Sequence, residues 1–329
     1  MALLEVSDLH TSFFLRGGEL RVLDGVSLEI EAGEVLGLVG ETGSGKSVTA
    51  YSIIRLLKQP GQVVGGQVRW DGRDLLHLWE SELEGEIRGR EISMIFQNPR
   101  EALNPVITVG RQLTQVLEIR RGMSKGEAKR EAVSILRSVY ISDPESRLGS
   151  YPHQLSGGMA QRIMIALALS CQPRLLIADE PTTGLDVTIQ HQIVQLLREL
   201  RDRTGMAILL ITHDLALAAQ LCDRMAVLYA GRIAEVGPIE HVFRSPRHPY
   251  TNALLASRPR LGLTHDILTI AGDVANLMRP PGGCRFHPRC ANATEICSRV
   301  QPPLEPMEPG QQVACHNPAS QRQELAASG

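Results

Sequence analysis

The 329-residue sequence predicts an α/β fold: a parallel-sheet core, an antiparallel β-subdomain at the N-terminus, a helical subdomain, and a small irregular C-terminal extension rich in cysteine and proline. Three observations predict it. Leu175-Leu176-Ile177-Ala178 and Ala207-Ile208-Leu209-Leu210-Ile211 are continuous apolar runs without alternation, as expected of strands covered on both faces by helices. Glu34-Val35-Leu36-Gly37-Leu38-Val39 is a third short apolar strand and runs straight into Gly40-Glu41-Thr42-Gly43-Ser44-Gly45-Lys46-Ser47. Ile189, Ile193, Leu196, Leu197 and Leu200 share one helical stripe between two of these runs, which is the pattern of a crossover helix.

From the N-terminus, Leu3 to Ile30 alternates in short pieces broken at Arg16-Gly17-Gly18, and Gln67-Val68-Arg69-Trp70 ends on an Asp71-Gly72 turn. These read as the antiparallel sheet. Ser47 to Gln59 carries apolar residues at helical spacing until Pro60-Gly61 stops it. Residues 98–165 hold helical patterns with charged faces, such as Lys125 to Val139, and form the expected helical subdomain. Gly205 is placed to end the crossover helix, and Leu228 to Val236, with Ala230-Gly231 at its centre, reads as a hairpin. Composition shifts after Ser245, and eight prolines lie between Pro280 and Pro318, too many for regular helix or a central strand. The expected division is a nucleotide-binding domain over 1–245 and an extension over 246–329.

A net charge of −2 gives no electrostatic footprint for nucleic acid. Carboxylates stand near the N-terminus where a signal peptide would be apolar, and no run of about 18 uninterrupted apolar residues occurs, so a cytosolic chain that does not span a membrane is expected. Four of six cysteines, Cys284, Cys290, Cys297 and Cys315, fall in the extension, which in a cytosolic protein points to metal binding before disulfides. Cys171 and Cys222 sit among apolar residues and read as packing residues.

Gly40 to Ser47 has the residues of a phosphate-binding loop. A glycine-rich turn after a strand leaves backbone N–H groups converging on the outer phosphates, and a helix N-terminus adds positive partial charge. Lys46 reaches the phosphates and the Ser47 hydroxyl holds Mg²⁺. Asp179-Glu180 ends the second buried strand; alone it could be a capping turn, but with the phosphate loop Asp179 is the expected support for Mg²⁺ and Glu180 the group that polarises an attacking water. Leu155-Ser156-Gly157-Gly158-Met159 opens an apolar helix 110 residues after Lys46. An ordinary Ser N-cap explains the serine, whereas two glycines at a helix start are costly unless something approaches the backbone closely.

With the phosphate loop, this segment resembles the signature sequence of the nucleotide-binding subunits of ATP-binding cassette (ABC) transporters, a branch of the phosphate-loop NTPases. The resemblance implies ATP and Mg²⁺ as ligands, two cassettes per functional unit, and a signature (Ser156, Gly157, Gly158) that closes over the nucleotide of the other subunit. It further assigns Gln97 to sensing Mg²⁺ and the attacking water, Asp186 in Gly184-Leu185-Asp186 to the dimer interface, and His213 in Thr212-His213-Asp214 to the γ-phosphate. Phe13, or its neighbour Phe14, matches the aromatic that stacks on adenine. The signature's usual fifth residue is glutamine; here it is Met159, which leaves Ser156 and the glycine N–H groups untouched.

Arg247-His248-Pro249-Tyr250-Thr251 and Pro281-Gly282-Gly283-Cys284-Arg285-Phe286-His287-Pro288-Arg289-Cys290 resemble the extension of the oligopeptide/dipeptide/nickel importer ATPases. That resemblance implies a [4Fe–4S] cluster on the four cysteines, with structural zinc or free thiols as alternatives, acting as a staple. It implies a second ATPase subunit, two membrane permease subunits and, indirectly, a substrate-binding protein as partners, and a peripheral place on the cytoplasmic face of the membrane. Peptides are the expected cargo, with nickel, opine or glutathione-type solutes as alternatives. A soluble ABC ATPase acting on DNA or ribosomes is disfavoured, because such members insert long coiled coils or join two cassettes in one chain.

Overall fold

The computed structural model describes residues 2–257 and 270–319; residues 258–269 and 320–329 of the expected extension lie outside the described residues. In chain order the strands are β1 (Leu4–Leu15), β2 (Gly18–Ile30), β3 (Val35–Val39), β4 (Gly61–Trp70), β5 (Arg73–Asp74) and β6 (Ile92–Ile95). They continue as β7 (Leu175–Asp179), β8 (Ala207–Thr212), β9 (Arg224–Tyr229), β10 (Arg232–Pro238), β11 (Glu305–Glu308) and β12 (Gln311–Val313). The chain divides into two compact units, one made of Met1–Ile30, Val35–Leu76 and Thr212–Gly329, the other of Glu31–Glu34 and His77–Ile211.

The first unit holds the antiparallel sheet in the order β2-β1-β4-β5. Its inward residues, Leu4, Val6, Leu9, Val26, Leu28, Ile30, Val68 and Trp70, are buried, as the alternation predicts. Each such Leu or Ile contributes about 1.5–3 kcal/mol over its exposed state. A second sheet runs β11-β12-β10-β9-β3, with β3 and β9 parallel and the rest antiparallel. β9 and β10 form the expected hairpin, closed by Ala230 and Gly231 at φ 46° and 81°, the left-handed pair that a tight two-residue turn needs. The helix after the phosphate loop covers Lys46–Ile53 and stops earlier than the expected Gln59. Arg55 takes a left-handed φ of 53°, and the Leu56 N–H donates back to the Tyr51 carbonyl at 2.8 Å, closing the helix before Pro60 is reached.

The extension is more regular than its prolines predict. β12 pairs with β10 (Glu235↔Val313, Val236↔Gln312), and β11 lies outside it, so Pro306 falls on an edge strand, where no ladder donor is required. A buried carboxylate fastens the join: Glu235 accepts from the backbone N–H of Arg247 and of His248, both at 2.9 Å, and from Gln311 Nε2 at 2.7 Å. Burial raises its pKa despite those donors. Arg285, 5 % exposed, adds a bond to Asp24 at 2.6 Å and another to the Ala230 carbonyl, tying the extension to β2 and to the hairpin turn.

The second unit holds a parallel sheet, β8-β7-β6, whose strands are almost wholly buried. The helix Val187–Thr204 buries Ile193, Val194, Leu196, Leu197 and Leu200 and ends where Gly205 turns left-handed at φ 69°, as its stripe and terminal glycine predict. Val109–Arg121 and Lys125–Ser138 are amphipathic helices capped by Thr108 and by a Ser124–Glu127 capping box.

Candidate functional site

In the first unit the glycine-rich loop joins β3 to the helix Lys46–Ile53. Glycine is needed at position 40, where a Cβ would stand 2.2 Å from the Leu228 carbonyl oxygen. The chain can then turn beneath β9. The Lys46 side chain is buried and its Nζ donates to the carbonyls of Gly40 (2.8 Å) and Glu41 (3.0 Å), folding the ammonium over the loop. Ser44 is 1 % exposed, and its Oγ has no hydrogen-bond partner among the described residues. A buried, orphaned hydroxyl costs about 1–3 kcal/mol and is met by an incoming acceptor such as a phosphate oxygen. Loop and chemistry therefore fit a nucleotide's phosphates, with Ser47 at the first helical turn and Thr42 and Gly43 exposed at the rim.

His213 is exposed directly after β8, and its neighbour Asp214 caps the helix Leu215–Leu221 by accepting from the Ala216 and Leu217 N–H groups. Phe13 packs over Gly61, where a Cβ would lie 2.7 Å from its ring, whereas Phe14 is 48 % exposed.

In the second unit Asp179 ends β7 at 1 % exposure, and Glu180 follows in the left-handed region at φ 46°. A non-glycine residue there carries strain that its surroundings must hold. The Glu180 N–H donates to the Ile211 carbonyl at 2.9 Å, and its Oε2 accepts from Gln97 Nε2 and from Thr183 Oγ1, each at 2.9 Å. The structure thus brings Gln97, 83 residues earlier, onto the carboxylate. Thr183 was not singled out by sequence; its position three residues after Glu180 in a turn was the available signal.

Ser156 caps the helix Gly157–Leu169, its Oγ accepting from the Met159 N–H at 3.3 Å. That bond uses the Met159 backbone, so the unusual side chain leaves it intact. Asp186 likewise caps Val187–Thr204 through the Ile189 N–H at 3.0 Å. The two caps are neighbours: a Cβ on Gly158 would meet Ile189 Cγ2 at 2.9 Å, and one on Gly157 would meet Leu185 Cδ2 at 3.5 Å. The paired glycines let one helix start approach the other while their N–H groups remain at a helix N-terminus.

The comparisons with known proteins agree along the chain. Residues 23–183 match the ABC transporter family, and residues 234–297 match the oligopeptide/dipeptide transporter C-terminal region. The oligopeptide transport ATP-binding protein OppD of Salmonella typhimurium is 48% identical over 97% of this chain and 95% of that protein. The chain belongs to the ABC transporter ATP-binding proteins of the oligopeptide/dipeptide type. The dipeptide transport ATP-binding protein DppD of Bacillus subtilis is 50% identical over 91% of this chain and 90% of its own length. Among solved structures, the dimeric structure of a bacterial ABC transporter cassette covers 72% of this chain and 98% of that one, with a TM-score of 0.65 at 28% identity. As a family member the chain is an ATPase coupled to transport, with ATP and Mg²⁺ as its ligands.

The four extension cysteines are unpaired. Cys297 Sγ lies 3.5 Å from the Thr294 N–H and from Asn317 Nδ2, and the Cys284 N–H donates to the Cys297 carbonyl at 2.8 Å. Burial pushes the thiols of Cys284, Cys290 and Cys315 upward, Cys315 to about 11, and each also feels the charge of at least one fellow cysteine. Among the described residues, however, no group of three or more His, Cys, Asp or Glu side chains is arranged to hold a metal ion. Four thiols have the donor chemistry for a thiolate-bound metal, but among the described residues their side chains are not grouped as a metal site. Cys222 is buried against Gly37, and no helix of the described residues is long and apolar enough to cross a membrane.

Proposed function

We propose that this chain is the ATP-hydrolysing subunit that drives peptide import, working at the cytoplasmic face of the membrane against two permease subunits and a second cassette of the same kind. The carrying observation is the phosphate loop itself, with Lys46 folded over it and Ser44 Oγ unsatisfied, in a chain 48% identical along 97% of its length to an oligopeptide transport ATP-binding protein. The working division is a nucleotide-binding domain over 1–245, with its helical subdomain near 98–165, and an extension over 246–329.

In this reading, Lys46 and the N–H groups of residues 43–47 bind the outer phosphates, while Ser47 would hold Mg²⁺ and Asp179 would support it. When bound, the metal offsets the charge of the β- and γ-phosphates. Glu180 takes the proton of the attacking water, its carboxylate turned by Gln97 and Thr183. His213 donates to the γ-phosphoryl oxygens as charge spreads over them. Ser156, Gly157 and Gly158 complete the site of the partner cassette, Asp186 lines that interface, and Phe13 or the more exposed Phe14 stacks on adenine. In this reading the four cysteines would hold a [4Fe–4S] cluster in preference to zinc, as a staple for the extension; the charge that Cys284, Cys290 and Cys297 exert on Cys315 and the N–H groups directed at Cys297 support this.

Glu180→Gln should lower ATP turnover by roughly 10²–10⁴-fold while MgATP still binds. Measured in the transporter reconstituted with a peptide-loaded binding protein, undiminished turnover would overturn the assignment. Stimulation by nickel- or glutathione-loaded binding proteins, and not by peptide-loaded ones, would move the cargo to those classes.

A further inference from the structure

Glu41 places a carboxylate inside a loop built to receive a triphosphate, and both of its polar ends are taken by the C-terminal extension and its lead-in helix. Its backbone N–H donates to the Tyr250 hydroxyl at 2.9 Å. Its carboxylate receives a two-pronged guanidinium, Arg289 Nη1 to Oε2 at 2.7 Å and Nη2 to Oε1 at 3.1 Å. We propose that Arg289 is a positioning residue for the ATP site: it neutralises and holds Glu41, so that the phosphate loop meets the nucleotide without a competing negative charge. The inference rests on the ATPase reading above.

Three features separate this pair from an ordinary surface ion pair. The Arg289 side chain is 4 % exposed and that of Glu41 23 %, so water screens the pair weakly. The remaining donor capacity of the guanidinium is committed as well: Nε donates to the Ala271 carbonyl at 3.0 Å, Nη2 also to Ile270 at 3.1 Å, and Nη1 also to the Tyr229 hydroxyl at 3.4 Å. Its plane lies near the rings of Tyr229 and Phe286, 5.8 and 6.0 Å from their centroids. Arg289 is therefore locked in one pose by β9 and by the extension, and among the described residues it presents its charge to one carboxylate.

The consequence for the loop is local. The Gly40 and Glu41 carbonyls that accept from Lys46 Nζ belong to the dipeptide that Tyr250 and Arg289 hold. Without Arg289 the charge of the Glu41 carboxylate stands uncompensated beside bound phosphates, and like charges in a partly buried setting repel. An arginine that only stapled the extension would predict lost stability and no specific effect on nucleotide affinity. The Glu41 charge separates the two cases.

The test uses the full-length chain with its cysteines, reading the Kd for MgATP by equilibrium titration, and the complete transporter for KM and kcat. Arg289→Met should raise Kd and KM about ten-fold, with kcat at saturation changed by less than about two-fold. Adding Glu41→Gln to Arg289→Met should return Kd to that of Glu41→Gln alone, because the repelling charge is gone. Arg289→Lys, which keeps the charge and loses the fork, should stay within about three-fold of the parent and carries the test if the methionine variant does not fold. A double variant as weak as Arg289→Met, a kcat loss without a KM change, or a lysine variant ten-fold weakened would each overturn the proposal. Lys46→Ala tests the underlying reading: if the parent shows no Lys46-dependent MgATP binding the ATPase assignment falls, and if it does the Arg289 variants judge this inference alone.

Discussion

At the scale of single residues, the geometry turns on side chains whose partners lie far away in sequence. Glu180 is held at φ 46° and gripped from two sides, so Thr183→Val, which removes one grip while keeping the shape, should lower kcat by about three- to ten-fold at unchanged KM. Steady-state kinetics of the assembled transporter would show the split. Met159 contributes its N–H to Ser156, so Met159→Gln should leave ATP turnover within about two-fold, and a large gain would show that the side chain matters. His248 is buried with Nδ1 accepting from the Tyr250 N–H, and burial lowers its pKa from 6.5 to about 4. Because the folded form resists protonation, its contribution is complete above pH 6.5 and is lost as pH falls toward 4, about 3 kcal/mol over the window. Melting curves of the parent and His248→Asn should therefore converge as pH drops from 7 to 4.5.

At the scale of elements, what the sequence shows and what it hides divide by the range of the interaction. The buried runs of β7 and β8, the stripe of Val187–Thr204 and the Ala230-Gly231 turn depend on neighbours a few positions away, and each was legible. The early stop at Ile53 was not, because it depends on Arg55 adopting a left-handed conformation that only the folded chain imposes. Nor was the hairpin β11–β12: prolines argued against strands, yet an edge strand tolerates them and Glu235 fixes the pairing. Close approach at the two caps gives another test. Gly158→Ala should cost about 1–3 kcal/mol in denaturant unfolding, since its Cβ meets Ile189 at 2.9 Å, and Ile189→Ala in the same background should recover part of that loss.

At the scale of the whole molecule, the extension shares a compact unit with the antiparallel sheet and the phosphate loop, fastened through Arg285, Glu235 and Arg289. A change at the extension's cysteines should therefore register at the loop. Cys297→Ala should lower the melting temperature and weaken MgATP binding together, and an unchanged nucleotide affinity would show the extension to be independent of the site. The sequence by itself determined the class of machine: Gly40 to Ser47, Asp179-Glu180 and Ser156 to Gly158 are contiguous motifs whose chemistry is written in residue type and spacing. Only the tertiary structure decided which distant groups orient them. Gln97 on Glu180 and Arg289 on Glu41 join residues 83 and 248 positions apart, and such pairs exist only once strands and turns have brought their carriers together.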